Sequence, residues 1–99
     1  MTTEQLRLEA IENFTSIYDN SIEQDDLNIR NDFDECWAQL KTDEERNDFR
    51  INCCYYKENG KCIVYFHVFD YNKYCYRDIT LKQYRLMNRD NFSVYNCIY

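Results

Sequence analysis

The chain has no proline and a single glycine, Gly60, among its 99 residues. Low-complexity linkers are built from those two residue types, so no linker is expected and residues 1–99 read as one domain. Loops that cradle a phosphate need several glycines for close backbone approach, and one glycine excludes them. There is one histidine, His67, and no two of the six cysteines stand at C-x-x-C spacing. A zinc site or a redox motif therefore has no local support, and neither metal nor cofactor is expected. No stretch approaches 18 apolar residues, which argues against a membrane span. Met1 to Leu6 carry neither a basic start nor an apolar run, so the expected location is the cytoplasm of the producing or host cell. There Cys36, Cys53, Cys54, Cys62, Cys75 and Cys97 should be reduced and pack as small apolar side chains.

What is present is a large aromatic share and an uneven charge. Hydrophobic residues make up 44% and aromatic residues 17%, enough for a single core at this length. Residues 1–48 hold 14 acids against 4 bases, a net of −10, and residues 49–99 hold 4 against 8, a net of +4. Such a split bears on partners and steering rather than on fold.

The first half reads as helical. Thr2-x-x-Gln5 fits a capping box, and Leu6, Ala10, Phe14, Ile17 and Tyr18 then recur at helical spacing, which predicts a helix over 3–19 closed by Asp19-Asn20-Ser21. Ile29, Phe33, Cys36, Trp37 and Leu40 form a second stripe, in a helix starting near residue 26 with Asp25 or Asp26 as cap. Thr42-x-x-Glu45 predicts a third, short helix over 43–49.

The period then changes. Residues 51–58 and 61–69 are rich in β-branched and aromatic residues and flank Asn59-Gly60, the signature of a type I′ hairpin. A two-residue loop sets the register: Glu58 faces Lys61, Tyr56 faces Ile63, Cys54 faces Tyr65 and Asn52 faces His67. On the other face Tyr55 meets Val64, Cys53 meets Phe66 and Ile51 meets Val68, and this more apolar face is assigned to the core. A turn is expected at 70–73 and strands at 74–78 and 92–98, while 80–89 reads equally as helix or strand. The fold class is thus α+β: two to three N-terminal helices on one face of a three- to four-stranded antiparallel sheet.

Two constellations bear on chemistry. Cys54, His67 and Asn52 fall together in the expected register, a thiol, a base and an orienting amide, but an ordinary strand face with a half-exposed histidine accounts for them and no enzyme is expected. The acids are more informative. From Glu23 to Glu45 nine carboxylates face two bases, Arg30 and Lys41. On a helix rising 1.5 Å per residue that is roughly one carboxylate per 3.8 Å, close to the ~3.4 Å phosphate spacing of one DNA strand. Asp32, Asp34, Glu35, Asp43, Glu44 and Glu45 are the expected partner-binding residues. Only in size, charge and compactness, the chain is similar to the small acidic inhibitors of viruses and mobile elements, DNA mimics and anti-CRISPR proteins among them, and that similarity carries over no residue. It implies a non-enzymatic protein that occupies the basic nucleic-acid groove of a nuclease or similar protein.

Two alternatives remain open. One is an immunity-type protein that neutralises a toxin. The other is a single-strand nucleic-acid binder using Lys57, Lys61, Lys73, Arg77, Lys82, Arg85 and Arg89 with the nine tyrosines of the second half. The net charge of −6 opposes direct binding of a polyanion. The same tyrosines and arginines would also serve as anchors for a protein partner. The oligomeric state is left open.

Overall fold

A computed structural model describes residues 1–19 and 26–95, with side chains for 1–15 and 28–95. The turn expected at Asn20-Ser21, the carboxylates of Glu23, Asp25 and Asp26, the side chains of Ile17 and Tyr18, Cys97 and the strand end at Ile98 lie outside the described residues. The architecture is α+β, with helices packed on one face of a four-stranded antiparallel sheet.

Three helices come first: α1 (Thr3–Asp19), α2 (Asp26–Gln39) and α3 (Asp43–Asn52). The Thr2 hydroxyl accepts the Gln5 N–H at 3.1 Å while the Gln5 side chain accepts the Thr2 N–H at 2.8 Å, closing the capping box that starts α1. Thr42 caps α3, accepting the Glu45 N–H at 3.1 Å, but the expected box is not closed because the Glu45 carboxylate accepts the Lys41 N–H instead. Phe14, Phe33 and Phe49, one from each helix, are fully buried and meet with ring centroids 5.4–6.4 Å apart. Rings at such distances add to the area they remove from water.

The sheet contains β1 (Cys54–Glu58), β2 (Lys61–Asp70), β3 (Cys75–Thr80) and β4 (Phe92–Val94). Asn59 and Gly60 both take positive φ, 51° and 77°, as a type I′ turn requires. The hairpin register is the expected one from Cys54↔Tyr65 to Glu58↔Lys61. Along β2 burial alternates strictly: Cys62, Val64, Phe66, Val68 and Asp70 face the helices, and Ile63, Tyr65, His67 and Phe69 face away.

The expected strand over 51–53 does not form. Helix α3 continues to Asn52, and Cys53 ends it in the left-handed region at φ 47°, its N–H bonded to the Phe49 carbonyl. The pairings Asn52–His67, Cys53–Phe66 and Ile51–Val68 are therefore absent, although Cys53, Phe66 and Val68 still lie in the core as assigned. β4 takes the vacated edge of β2, with Val68↔Val94 and Asp70↔Phe92. The third strand runs 75–80 rather than 74–78, because Tyr74 lies in the turn with φ 53°. Residues 81–86 form a short helix, α4, under a complete Thr80–Gln83 capping box, and a 3₁₀ turn at Arg89–Asn91 leads into β4.

Candidate functional site

The six acids expected to form a docking face end in different environments. Glu45 is 4% exposed. Its carboxylate accepts from the Arg85 Nε at 2.6 Å and from the Lys41 N–H at 2.7 Å. Burial works to raise the Glu45 carboxyl, but Arg85 and the backbone donors outweigh it and hold it below the usual value. Asp32 is largely covered, with Lys57 Nζ at 2.7 Å and the Tyr55 hydroxyl donating at 2.7 Å. Burial opposes its ionised form, and those two donors bring its carboxyl below the ordinary value. Glu35 accepts the Cys62 backbone N–H, which also lowers its carboxyl. Asp34, Asp43 and Glu44 keep 61%, 69% and 61% of their side chains exposed, beside Arg7, Arg46 and Arg89 respectively. Of the six expected residues, then, Glu45 is withdrawn from any partner, Asp32 nearly so, and Glu35, Asp34, Asp43 and Glu44 remain accessible.

The charge split of the sequence is thus satisfied across the layers. Acids of the helices meet bases of the second half in Asp32–Lys57, Glu45–Arg85 and Asp48–Arg89. Asp48 is buried and receives a 2.5 Å hydrogen bond from the Tyr84 hydroxyl. Burial raises the Asp48 carboxyl despite Tyr84 and Arg89, and the same burial raises the Tyr84 hydroxyl. Along α3 the residues facing inward are Glu45, Asp48, Phe49 and Asn52, at i, i+3, i+4 and i+7. An apolar-periodicity search passes over that stripe because only Phe49 is apolar. Of the seven bases proposed for nucleic acid, Lys57, Arg85 and Arg89 are spent in those pairs, and Arg77 turns inward to Asp70 at 3.1 Å. Lys61, Lys73 and Lys82 make no ion pair among the described residues.

The thiol, base and amide do not assemble. Asn52 sits in α3 and its amide donates to the Tyr95 carbonyl. The Cys54 thiol donates to the Asn52 carbonyl at 3.2 Å, and His67 Nδ1 lies 2.8 Å from Asp78 Oδ1. Cys36, Cys53, Cys54 and Cys62 are buried as expected, whereas Cys75 is exposed. Burial raises the Cys62 thiol to about 11, so it stays protonated at neutral pH. Among the described residues no group of three or more His, Cys, Asp or Glu could hold a metal, and no helix is long and apolar enough to cross a membrane.

The sheet face turned away from the helices carries a band of rings. Tyr56 and Tyr65 lie 5.8 Å apart, His67 stacks on Tyr76 at 5.6 Å, and Phe69 meets Tyr71, Tyr74 and Tyr76 edge to face at 4.9–5.6 Å. Tyr95 closes on Tyr76 at 5.5 Å. Tyr56, Tyr71, Tyr74, Tyr76 and Tyr95 are 42–82% exposed. At ~200 Å² per ring they offer on the order of 500 Å² of surface, in the range at which a patch on a monomer signals an interaction site. At one end of the band a cleft of about 370 Å³ opens between Tyr56, Tyr65, Asp78, Ile79 and Thr80. Alternation along β2 was legible in the sequence, and it separates this face from the core. That no described residue covers the face follows from all the described helices taking the other side.

The sequence matches no family model, no curated protein and no solved structure.

Proposed function

We propose that the chain is a small, acidic, non-enzymatic binding protein that acts in the cytoplasm and docks on a cationic protein surface, such as the nucleic-acid groove of a nuclease. The inhibitor role follows from occupying that groove. The contact surface in this reading is the tyrosine-bearing outer face of the sheet, and the net charge of −6 steers the approach. The single observation that carries it is the division of labour between layers: among the described residues most of the helical acids are already paired internally, while the outer face holds half-exposed rings over which no described residue packs. Tyrosines in a band of this kind supply rigid contact area at low entropic cost, which is why they recur as anchors at interfaces.

A second reading keeps the acidic helices as the contact surface. It is favoured by Asp34, Asp43 and Glu44, whose side chains remain mostly in water. One experiment separates the two. Wild type, Tyr74→Ala/Tyr76→Ala and Asp34→Lys/Asp43→Lys/Glu44→Lys proteins are used to capture partners from a lysate, with and without duplex DNA as competitor. The leading reading expects a nucleic-acid-handling protein that DNA displaces, that the tyrosine variant loses, and that the lysine variant keeps with reduced association at low salt. Loss with the lysine variant alone moves the contact to the helices. A partner that ignores DNA and both variants overturns the proposal.

A further inference from the structure

We propose that the cleft between Tyr56, Tyr65 and Asp78 is an anchor site for one guanidinium side chain of a protein partner. This rests on the outer sheet face being the docking surface and names the chemistry that face selects. The cleft, about 370 Å³, is lined by Tyr56, Tyr65, Asp78, Ile79 and Thr80. That volume falls within the range of small-ligand sites and easily admits one long side chain. Two components define its preference. Tyr56 and Tyr65 present phenol rings inclined at 45° to each other, and a cation over such a face is held by the ring quadrupole. The Asp78 side chain is 62% exposed, with Oδ1 engaged by His67 Nδ1 at 2.8 Å and Oδ2 accepting no hydrogen bond among the described residues. A carboxylate beside two aromatic faces selects a cation, and a planar guanidinium can stack on a ring while pairing with the carboxylate, which a lysine ammonium does less well.

The rest of the molecule supplies the contrast. A cavity of about 470 Å³ lined by Asn28, Asn31, Asp32, Glu35 and Lys57 already contains its own cation, with Lys57 Nζ 2.7 Å from Asp32. Another, of about 220 Å³, has Arg85 and Arg89 against Glu45 and Glu44. There Arg89 lies over the Phe92 ring at 4.9 Å while bonding Asp48 at 3.3 Å. The chain thus builds an arginine–aromatic–carboxylate group inside itself. The outer cleft offers the same ring and carboxylate components, but no Lys or Arg among the described residues lines it.

The test uses the full chain and two peptides, hexa-arginine and its neutral isostere hexa-citrulline, followed by backbone amide NMR at moderate salt. Hexa-arginine should give saturable shifts centred on Tyr56, Tyr65, Asp78 and Thr80, and hexa-citrulline none. Asp78→Asn should weaken hexa-arginine about tenfold, the loss of one charge-assisted contact. Tyr65→Leu should weaken it several-fold while Tyr65→Phe keeps it, since the ring and not the hydroxyl holds the cation. Variant spectra that overlay wild type outside the cleft establish that folding is intact. Shifts centred on Asp34, Asp43 and Glu44, equal binding of hexa-citrulline, or no effect of Asp78→Asn would overturn the inference. The captured partner separates this from the broader reading. Retention that needs Tyr74 and Tyr76 but not Asp78 removes the anchor and leaves the docking face, whereas indifference to all three removes both.

Discussion

The two faces of the sheet are both rich in large side chains and put them to opposite use. On the inner face Val64, Phe66, Val68 and Ile79 are essentially without water contact, packed on Phe33, Phe49 and Tyr84. On the outer face Tyr65 meets Tyr56, His67 stacks on Tyr76 and Phe69 meets Tyr76 edge to face, each of them half-buried or exposed. Composition alone does not separate the two, because tyrosine serves both: Tyr84 is buried at Phe66, ring centroids 4.6 Å apart, while Tyr74 is 82% exposed. What separates them is the two-residue period of β2 together with the choice of side made by the helices. A ring whose hydroxyl can reach water tolerates the open face, and phenylalanine there is confined to Phe69, which three tyrosines shield.

The sharpest way to break that comparison is to truncate one ring on each face. Phe66→Ala should cost about 3–5 kcal/mol of stability in urea unfolding, because it leaves a cavity among fully packed neighbours. Tyr76→Ala should cost about 1 kcal/mol, the worth of its ring contacts, and should act on partner binding instead. Similar losses at the two sites would mean that the outer face is part of the structural core.

A smaller effect than that of Phe66 is expected where the helices meet the basic second half. Glu45→Gln should cost about 2–3 kcal/mol at neutral pH, less than the ~3–5 kcal/mol of a fully buried pair because the Arg85 side chain is 36% exposed. The Glu45 carboxyl is lowered in the folded protein, so its contribution is present above the ordinary value of 4.5 and is lost as pH falls through the folded value. The gap between wild type and Glu45→Gln in thermal unfolding should therefore narrow on acidification. Asp48 works in the other sense. Burial raises it, so its contribution is greatest below the ordinary 3.8 and declines as pH rises through the raised value. A gap for Glu45→Gln that is constant from neutral pH to below 4 would refute its role as an ionised partner of Arg85.

The smallest effect is reserved for the exposed acids. Asp34→Lys should change stability by no more than about 0.5 kcal/mol, since its pairing with Arg7 lies in water. A larger loss would place Asp34 in a structural network and remove it from any surface available to a partner.

Much of the fold is legible in local stretches of the sequence. The capping residues Thr2 and Thr42, the Asn59-Gly60 turn and the register from Cys54↔Tyr65 onward depend on local rules and came out as expected, while the helix under Thr80 resolves a segment the sequence left open. The strand start at residue 51 did not. Ile51, Asn52 and Cys53 suit a strand locally, but β4, some 40 residues away, takes the edge of β2 that they would have occupied. The candidate site was less legible. Glu45 looked like one acid of a solvated run, and its burial depends on Arg85, which arrives from α4.

The sequence by itself determined the elements whose signals lie within a few residues: helix caps, the hairpin turn, strand alternation and the aromatic supply. Only the tertiary structure decided which charges remain available, which sheet face stays open and which carboxylate, Asp78, stands beside rings without a lysine or arginine of its own. The physical reason is that caps and turns are set by backbone hydrogen bonds between near neighbours. Burial and charge pairing are set by whichever distant segment packs on top, and here the basic second half folds onto the acidic first half and cancels much of the feature most evident in the sequence.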